Sequence, residues 1–351
     1  MKLSLCETCG NMLHFENSLC LRCGAPLGFI PEAMDLRALV AHDDGTVAPK
    51  ARPDERWRPC TNAAEAGCNW LAPLDAPEGF CTACRLNRTI PDLSVPGNQE
   101  KWRAIECAKR RLVYALLRLN LPLTSHKDDA ERGLAFDFLA DTADEPVMTG
   151  HADGLITINI AEADSPERER RRVELGEPYR TMLGHLRHEV GHYYWDLLVR
   201  DGGRTSASRA MFGDEREEYG EALQRHYENG PPPDWQEAHV SAYATMHPWE
   251  DFAETWTHYL HMVDTLDTAA SFGLAVDPEV TDDPDASTVI AFDPYRARSI
   301  ERLVAAWIPL TVAVNSLNRS MGQPDLYPFT LSPPAITKLG FIHDLVHSGG
   351  R

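Results

Sequence analysis

Within Leu183–Leu198, LGHLRHEVGHYYWDLL, five residues have the types and spacing for metal chemistry: His188-Glu189-Val190-Gly191-His192. Residues four apart on a helix point the same way, so the imidazoles of His188 and His192 can share one cation. Zinc accepts neutral imidazole nitrogen and, with three protein ligands, keeps a position open for water. Glu189, beside the pair, is placed to take a proton from that water as general base. This is the HExxH arrangement of zinc metalloproteases. The bland reading, two satisfied histidines on a core helix, is countered by a second, acidic helix downstream.

That second helix opens at His247-Pro248-Trp249-Glu250-Asp251-Phe252-Ala253-Glu254. Pro248 suits its first turn, and Glu250 and Asp251 suit its positive end. Phe252, Trp256, Tyr259, Leu260 and Val263 make a core face, while Glu250, Glu254, His258 and His261 form an adjacent polar row that calls for partners. Zinc sites with two histidines and one glutamate take the carboxylate from a separate helix, and another acid supports a ligating histidine. Glu250 on the metal with Glu254 behind an imidazole meets both needs within one turn. Glu254 as the ligand is the rival, and His258 or His261 would give a three-histidine site. His226 and His239 lie nearby without a spacing that demands a role. Tyr243, seven residues before Glu250, is read either as packing or as an oxyanion donor.

Two cysteine sets precede these helices. Cys6-x2-Cys9 and Cys20-x2-Cys23, each followed by a glycine, match a four-thiolate zinc site rather than a redox pair. Cys60, Cys68, Cys81 and Cys84 close a second such site if Asn62–Gly67 is an insertion between ligands. So short a segment has too little apolar surface to fold well without a staple. Cys107 falls in the helical pattern Lys101–Leu119 and reads as a buried apolar residue.

The elements that must position these groups follow from periodicity. Tyr179, Met182, Leu183, Leu186, Val190, Tyr193, Leu197 and Leu198 give the metal helix one apolar stripe, with Pro178 in its first turn and Gly202-Gly203 as its stop. Leu134–Leu139, Val147–Thr149 and Leu155–Ile160 predict a small sheet. The last of these reads either as an edge that pairs with an extended peptide or as a core strand. Glu162–Glu177 is a solvated charged stretch. Helical patterns cover Glu215–Tyr227, Tyr295–Leu317 and Pro334–Val346. Ile90–Asn98 reads as a linker, which divides the chain into 1–30, 31–95 and 96–351.

Charge is lopsided: residues 1–120 carry 15 Lys+Arg against 14 Asp+Glu, leaving 19 against 39 in the rest. So acidic a catalytic part repels phosphate backbones and disfavours nucleic acid as a partner. No stretch approaches the ~20 apolar residues of a membrane span, and the start turns polar too soon for a secretory signal. The expected location is the cytoplasm, where clustered cysteines bind metal.

The ribbon LCETCGNMLHFENSLCLRCGAPLGFIP, the block CNWLAP…FCTACRLNRTIPDL, the helix RTMLGHLRHEVGHYYW, HPWEDFAETWTHYLH and SPPAITKLGFIHDLVH together resemble the bacterial zinc-binding metallopeptidases that carry an N-terminal zinc ribbon. Tyr243…Glu250-x-x-Ala253-Glu254 is also similar to the second helix of lethal-factor-type gluzincins. That resemblance implies Glu250 as ligand, Glu254 as support for a histidine and Tyr243 as the oxyanion electrophile. Asp251 departs from it, since the toxin pattern is apolar there.

The expectation is therefore α+β: a zincin-like domain with a small sheet over the metal helix, preceded by two zinc-stapled modules. It would act as a gluzincin-type endopeptidase on protein or peptide substrates, with one catalytic and two structural Zn2+. The alternative is an interaction module whose ribbons bind a partner protein while the HExxH site is structural or idle. A ribbon-guided protease acting on nucleic-acid-associated proteins is a third reading, which the acidic catalytic part disfavours.

Overall fold

The computed structural model describes residues 2–142, 146–164 and 181–348. Pro178, Tyr179 and the charged stretch from 165 to 177 lie outside the described residues. The protein is α+β and comprises two compact units, Met1–Glu167 and Arg168–Arg351. The division falls inside the stretch read from sequence as one catalytic domain, 96–351.

In the first unit, β1 (Ser4–Leu5) and β2 (Met12–Leu13) form a hairpin around the first cysteine pair. β3 (Leu27–Ile30), β4 (Asp35–Ala41) and β5 (Val47–Pro49) make an antiparallel sheet, and β6 (Arg58–Pro59) pairs with β7 (Leu71–Ala72). β8 (Asn87–Thr89) leads to α1 (Asn98–Arg118), which is followed by β9 (Ala135–Leu139), β10 (Gly150–Ala152) and β11 (Leu155–Asn159). These strands form a sheet in the order β10-β11-β9-β8. The cysteine modules are not separate beads. Phe15 from the first, Phe29 from β3 and Tyr114 from α1 pack edge to face at 5.1 and 5.2 Å, and Trp70 from the second module lies 4.7 Å from Phe29. One aromatic core thus ties both modules to α1.

Of the two readings of Leu155–Ile160 the core strand holds, and two other expectations are corrected. β11 pairs with β10 on one side and β9 on the other, so it is an inner strand rather than an edge. Val147–Thr149 is not a strand, because side chains capture its polar groups. Asp141 accepts the Val147 N–H at 2.7 Å, and Asn159 donates to the Val147 carbonyl at 3.1 Å. Cys107 is only half-buried, one turn after the exposed Arg103 and Ala104.

The second unit starts, as described, with α2 (Met182–Tyr194), capped by Thr181, whose hydroxyl accepts the Gly184 N–H at 3.0 Å. The helix widens into a π-helical turn, Trp195–Arg200, before Gly202-Gly203 stops it. α3 (Thr205–Phe212) was not anticipated, and α4 (Tyr219–Asn229) begins later than its pattern because Glu215 is engaged by Arg209. α5 (Pro248–Ser271) runs through the centre of this unit, buried along most of its length. β12 (Ala275–Val276) and β13 (Thr288–Val289) form a short hairpin, followed by α6 (Ile300–Ser320) and α7 (Pro333–Ser348).

By length and composition alone, α6 is long and apolar enough to cross a membrane. Its apolar residues are interrupted by Thr311, Asn315 and Ser316, which conceals it from a search for uninterrupted runs. Leu303, Val304, Trp307 and Leu310 are buried on one face, while Val312 and Leu317 are exposed on another.

α2 and α5 meet at Gly191. A Cβ built there would lie 3.1 Å from the Ala253 backbone and 3.3 Å from Trp256, so only glycine admits this approach without a shift. Tyr194 stacks on Trp256 at 4.9 Å and extends the seam. This close crossing brings the histidines of one helix within reach of the carboxylates of the other.

Candidate metal centre

The buried side chains of His188, His192 and Glu250 converge. His188 Nε2 lies 3.2 Å from His192 Nε2 and 2.9 Å from Glu250 Oε2, and His192 Nε2 lies 3.4 Å from Glu250 Oε1. All the donor atoms fall within 4.8 Å of one another, so one cation can touch all three. Burial opposes charge on both partners, yet the charge prevails. The Glu250 carboxyl would rise on burial alone, but the His192 and His188 imidazoles hold it well below the ordinary carboxylate range. Burial likewise disfavours a charged His188, but Glu250 and Glu254 raise it well above the ordinary imidazole value. The carboxylates therefore stabilise positive charge placed beside them.

Behind His188, Glu254 Oε1 lies 2.7 Å from Nδ1, and the Ser241 hydroxyl donates to Glu254 Oε2 at 2.5 Å. His258 and His261, the other residues of the polar row, point elsewhere. His258 Nδ1 meets the Tyr327 hydroxyl at 2.6 Å, and His261 meets Arg187, which also pairs with Asp264. His239 lies 3.7 Å from Asp251, and the His226 ring packs edge-on to Tyr243 at 5.9 Å. The Tyr243 ring is itself 5.9 Å from that of His188. Burial and the Glu250 charge raise its phenol pKa, which keeps the hydroxyl a proton donor.

The two cysteine sets also close, and all nine cysteines are free thiols. Cys6 and Cys23 Sγ lie 3.7 Å apart, Cys9 and Cys20 3.6 Å, and Cys68 is 3.7 Å from both Cys81 and Cys84. A tetrahedron with ~2.3 Å Zn–S bonds has edges of about 3.8 Å, whereas a disulfide needs about 2.05 Å. Gly10 and Gly24 adopt φ of +69° and +71°, the turn that each knuckle needs after its second cysteine. At the second site α1 supplies the lid. Cys84 Sγ lies 3.8 Å from Glu106, and the fully buried Lys109 donates to Glu106 at 2.8 Å.

The family model described as "Putative zinc-binding metallo-peptidase" matches residues 98–345, and one described as a zinc-ribbon domain matches residues 3–95. The chain belongs to this zinc-binding metallopeptidase family. Uncharacterized proteins from Mycobacterium bovis and from two strains of Mycobacterium tuberculosis are 45% identical over 343 residues, covering 97% of this chain and 94% of theirs. No solved structure matches the chain.

For a zinc-binding family the donor sets fit the ion: thiolates in fours, and imidazole pairs with carboxylate. Three further residues in contact with the centre escape a reading of the sequence. The Tyr219 hydroxyl donates to Glu250 Oε1 at 3.1 Å, Ser241 holds Glu254, and His185 Nε2 lies 3.3 Å from Glu189 Oε1. Only His185 carried a signal, four residues before Glu189 on one helix face. Tyr219 and Ser241 arrive from a neighbouring helix and a loop, where no periodicity marks them. Burial would raise the Glu189 carboxyl, but His185 and His188 draw it below the ordinary value, which favours the ionised form.

Proposed function

We propose that this chain is a zinc-dependent metallopeptidase of the gluzincin type, an endopeptidase that hydrolyses protein or peptide substrates. His188, His192 and Glu250 would hold the catalytic zinc, and the two cysteine sets would each hold a structural zinc. The observation that carries this reading is the convergence of two imidazoles from α2 with a carboxylate from α5, backed by Glu254 on the far nitrogen of His188. Zinc bound there supplies Lewis acidity, which acidifies water and polarises a carbonyl.

The chain's own residues do the rest. Glu189, buried and ionised, accepts a proton as general base and later returns it to the leaving amine. Glu254 fixes the tautomer and ring angle of His188 by accepting from Nδ1. Tyr243, kept protonated, offers its O–H to the developing oxyanion. Cysteines clustered for metal rather than paired as disulfides suit a reducing compartment, and we place the protein in the cytoplasm.

Glu189→Gln tests this reading. The variant should bind zinc as the parent does and lose roughly 10²–10⁴-fold in turnover of a broad peptide library, the usual worth of a positioned base. Cleavage by the parent should stop with a hydroxamate. Equal turnover by the variant would remove Glu189 from the mechanism, and a zinc-replete parent that cuts nothing would favour the other reading. In that reading the ribbons recruit a partner protein and the site is idle. The exposed Leu5, Met12, Leu19 and Leu21 around the first cysteine set support such recruitment.

A further inference from the structure

Glu189 ends a flexible side chain, and its last torsion is intrinsically broad. Proton transfer needs heavy atoms within about 2.6–3.2 Å, and a 1 Å misplacement of a reacting group can cost about 10²-fold in rate. Something must therefore fix the carboxylate. The metal pair cannot, since His188 and His192 turn their Nε2 atoms toward each other and toward Glu250. One turn earlier on α2, His185 Nε2 lies 3.3 Å from Glu189 Oε1. Both side chains are largely sequestered, at 17% and 7% exposure. An i,i+4 pair on a rigid helix holds its partners in register without help from a loop. The close crossing at Gly191 keeps that helix seated against α5.

We propose that His185 is the positioning residue for Glu189: its ring N–H donates to one carboxylate oxygen and leaves the other to handle the proton. The proposal rests on the reading of Glu189 as general base. His185 acts on the reaction through Glu189. Its contribution belongs in kcat, because only the orientation of the base changes.

The test compares parent, His185→Ala, His185→Gln and Glu189→Gln as full-length, zinc-replete proteins, with zinc content measured beside kcat and KM on one library-derived peptide. His185→Ala should lose roughly 10–100-fold in kcat with KM and zinc content unchanged. His185→Gln should recover most of that loss, since the Gln amide nitrogen can stand where imidazole Nε2 stood. An unchanged kcat in His185→Ala overturns the proposal. So does an equal loss in both His185 variants, or a loss that follows zinc content. A second readout needs no activity. With 15N-labelled histidine, the ring resonances of His185 should move in Glu189→Gln, in zinc-loaded and zinc-free protein alike, and unmoved resonances overturn the pairing. Should the parent cut no peptide at all, the hydrolytic reading falls, while the resonances still decide whether His185 holds Glu189.

Discussion

At the scale of single residues, the centre is a chain of hydrogen bonds that ends on His188, one of the three proposed zinc ligands. Ser241 donates to Glu254, Glu254 accepts from His188 Nδ1, and His188 Nε2 faces the ion's place. Each link removes a rotational freedom from the next, so the ligand nitrogen is aimed before any ion arrives. Glu254→Ala should weaken zinc binding about 10–100-fold, the usual cost of losing such a support, read by competition with a chromogenic chelator. Ser241→Ala should cost less, since Glu254 keeps its contact with His188. Unchanged affinity in Glu254→Ala would mean that the carboxylate merely sits beside the ring. Glu250 and Glu254 were legible from sequence because their four-residue step on an amphipathic helix is a local signal. Ser241 was not, since a serine in a loop acquires meaning only once the fold brings it to a partner 13 positions away.

At the scale of elements, two helix contacts hold the centre, and they differ in how far sequence reveals them. The α2–α5 crossing was implied by two apolar stripes, although its closeness at Gly191 was not. The contact of α5 with α7 explains Asp251, the position where the gluzincin-like pattern is apolar. Asp251 is buried beside Glu250, and Lys338 of α7 donates to it at 2.6 Å while also holding the Ala238 carbonyl at 2.8 Å. Burial lifts the Asp251 carboxyl to about 7 even though Lys338 opposes the rise. The last helix thus does more than cover the domain. It anchors both the start of α5 and the loop that carries Ser241 and Tyr243. Nothing in the sequence joins two residues 87 positions apart, so the pair could not be foreseen. Lys338→Met should destabilise the unit by about 1–3 kcal/mol, because it leaves the buried Asp251 carboxyl and the Ala238 carbonyl without their donor. Asp251→Leu with Lys338→Met should regain most of that in a urea titration, since a well-packed apolar pair replaces a buried ion pair at little cost. A double variant no more stable than Lys338→Met would show that the charge pair itself is needed.

At the scale of the whole molecule, the two compact units answer to different conditions. The first unit is small-stranded and aromatic-cored, with eight clustered thiols, so its order should follow metal supply. The second has a large helical core, and its stability should follow pH through a buried histidine. His258 is 4% exposed on α5, with Tyr327 on Nδ1 and Phe329 against its ring at 4.5 Å. Burial holds its pKa at about 4, with Glu254 pulling weakly the other way. A histidine depressed in the folded state binds fewer protons there than when unfolded. Stability from this source is therefore full above about 6.5 and is lost as pH falls toward 4. The span of roughly 2.5 pH units corresponds to a loss on the order of 3 kcal/mol. The carboxylates of the centre act in a lower window. Glu189, Glu250 and Glu254 are all depressed, so their contributions fade only as pH drops below the ordinary carboxylate value. Asp251, raised to about 7, contributes in the opposite sense over the same fall in pH, so urea unfolding of the zinc-loaded chain at pH 7.5, 6, 5 and 4.5 reads His258 as the difference between the parent and a variant. In His258→Asn, whose amide can still meet Tyr327, the transition should lie progressively further toward high urea relative to the parent as pH falls from 6.5 to 4.5. If parent and variant keep parallel pH profiles between 6.5 and 4.5, the His258 imidazole is not the source, and acid sensitivity in that range must come from the other depressed histidines of the unit, His226, His239, His261 and His343, or from protons competing for the zinc ligands.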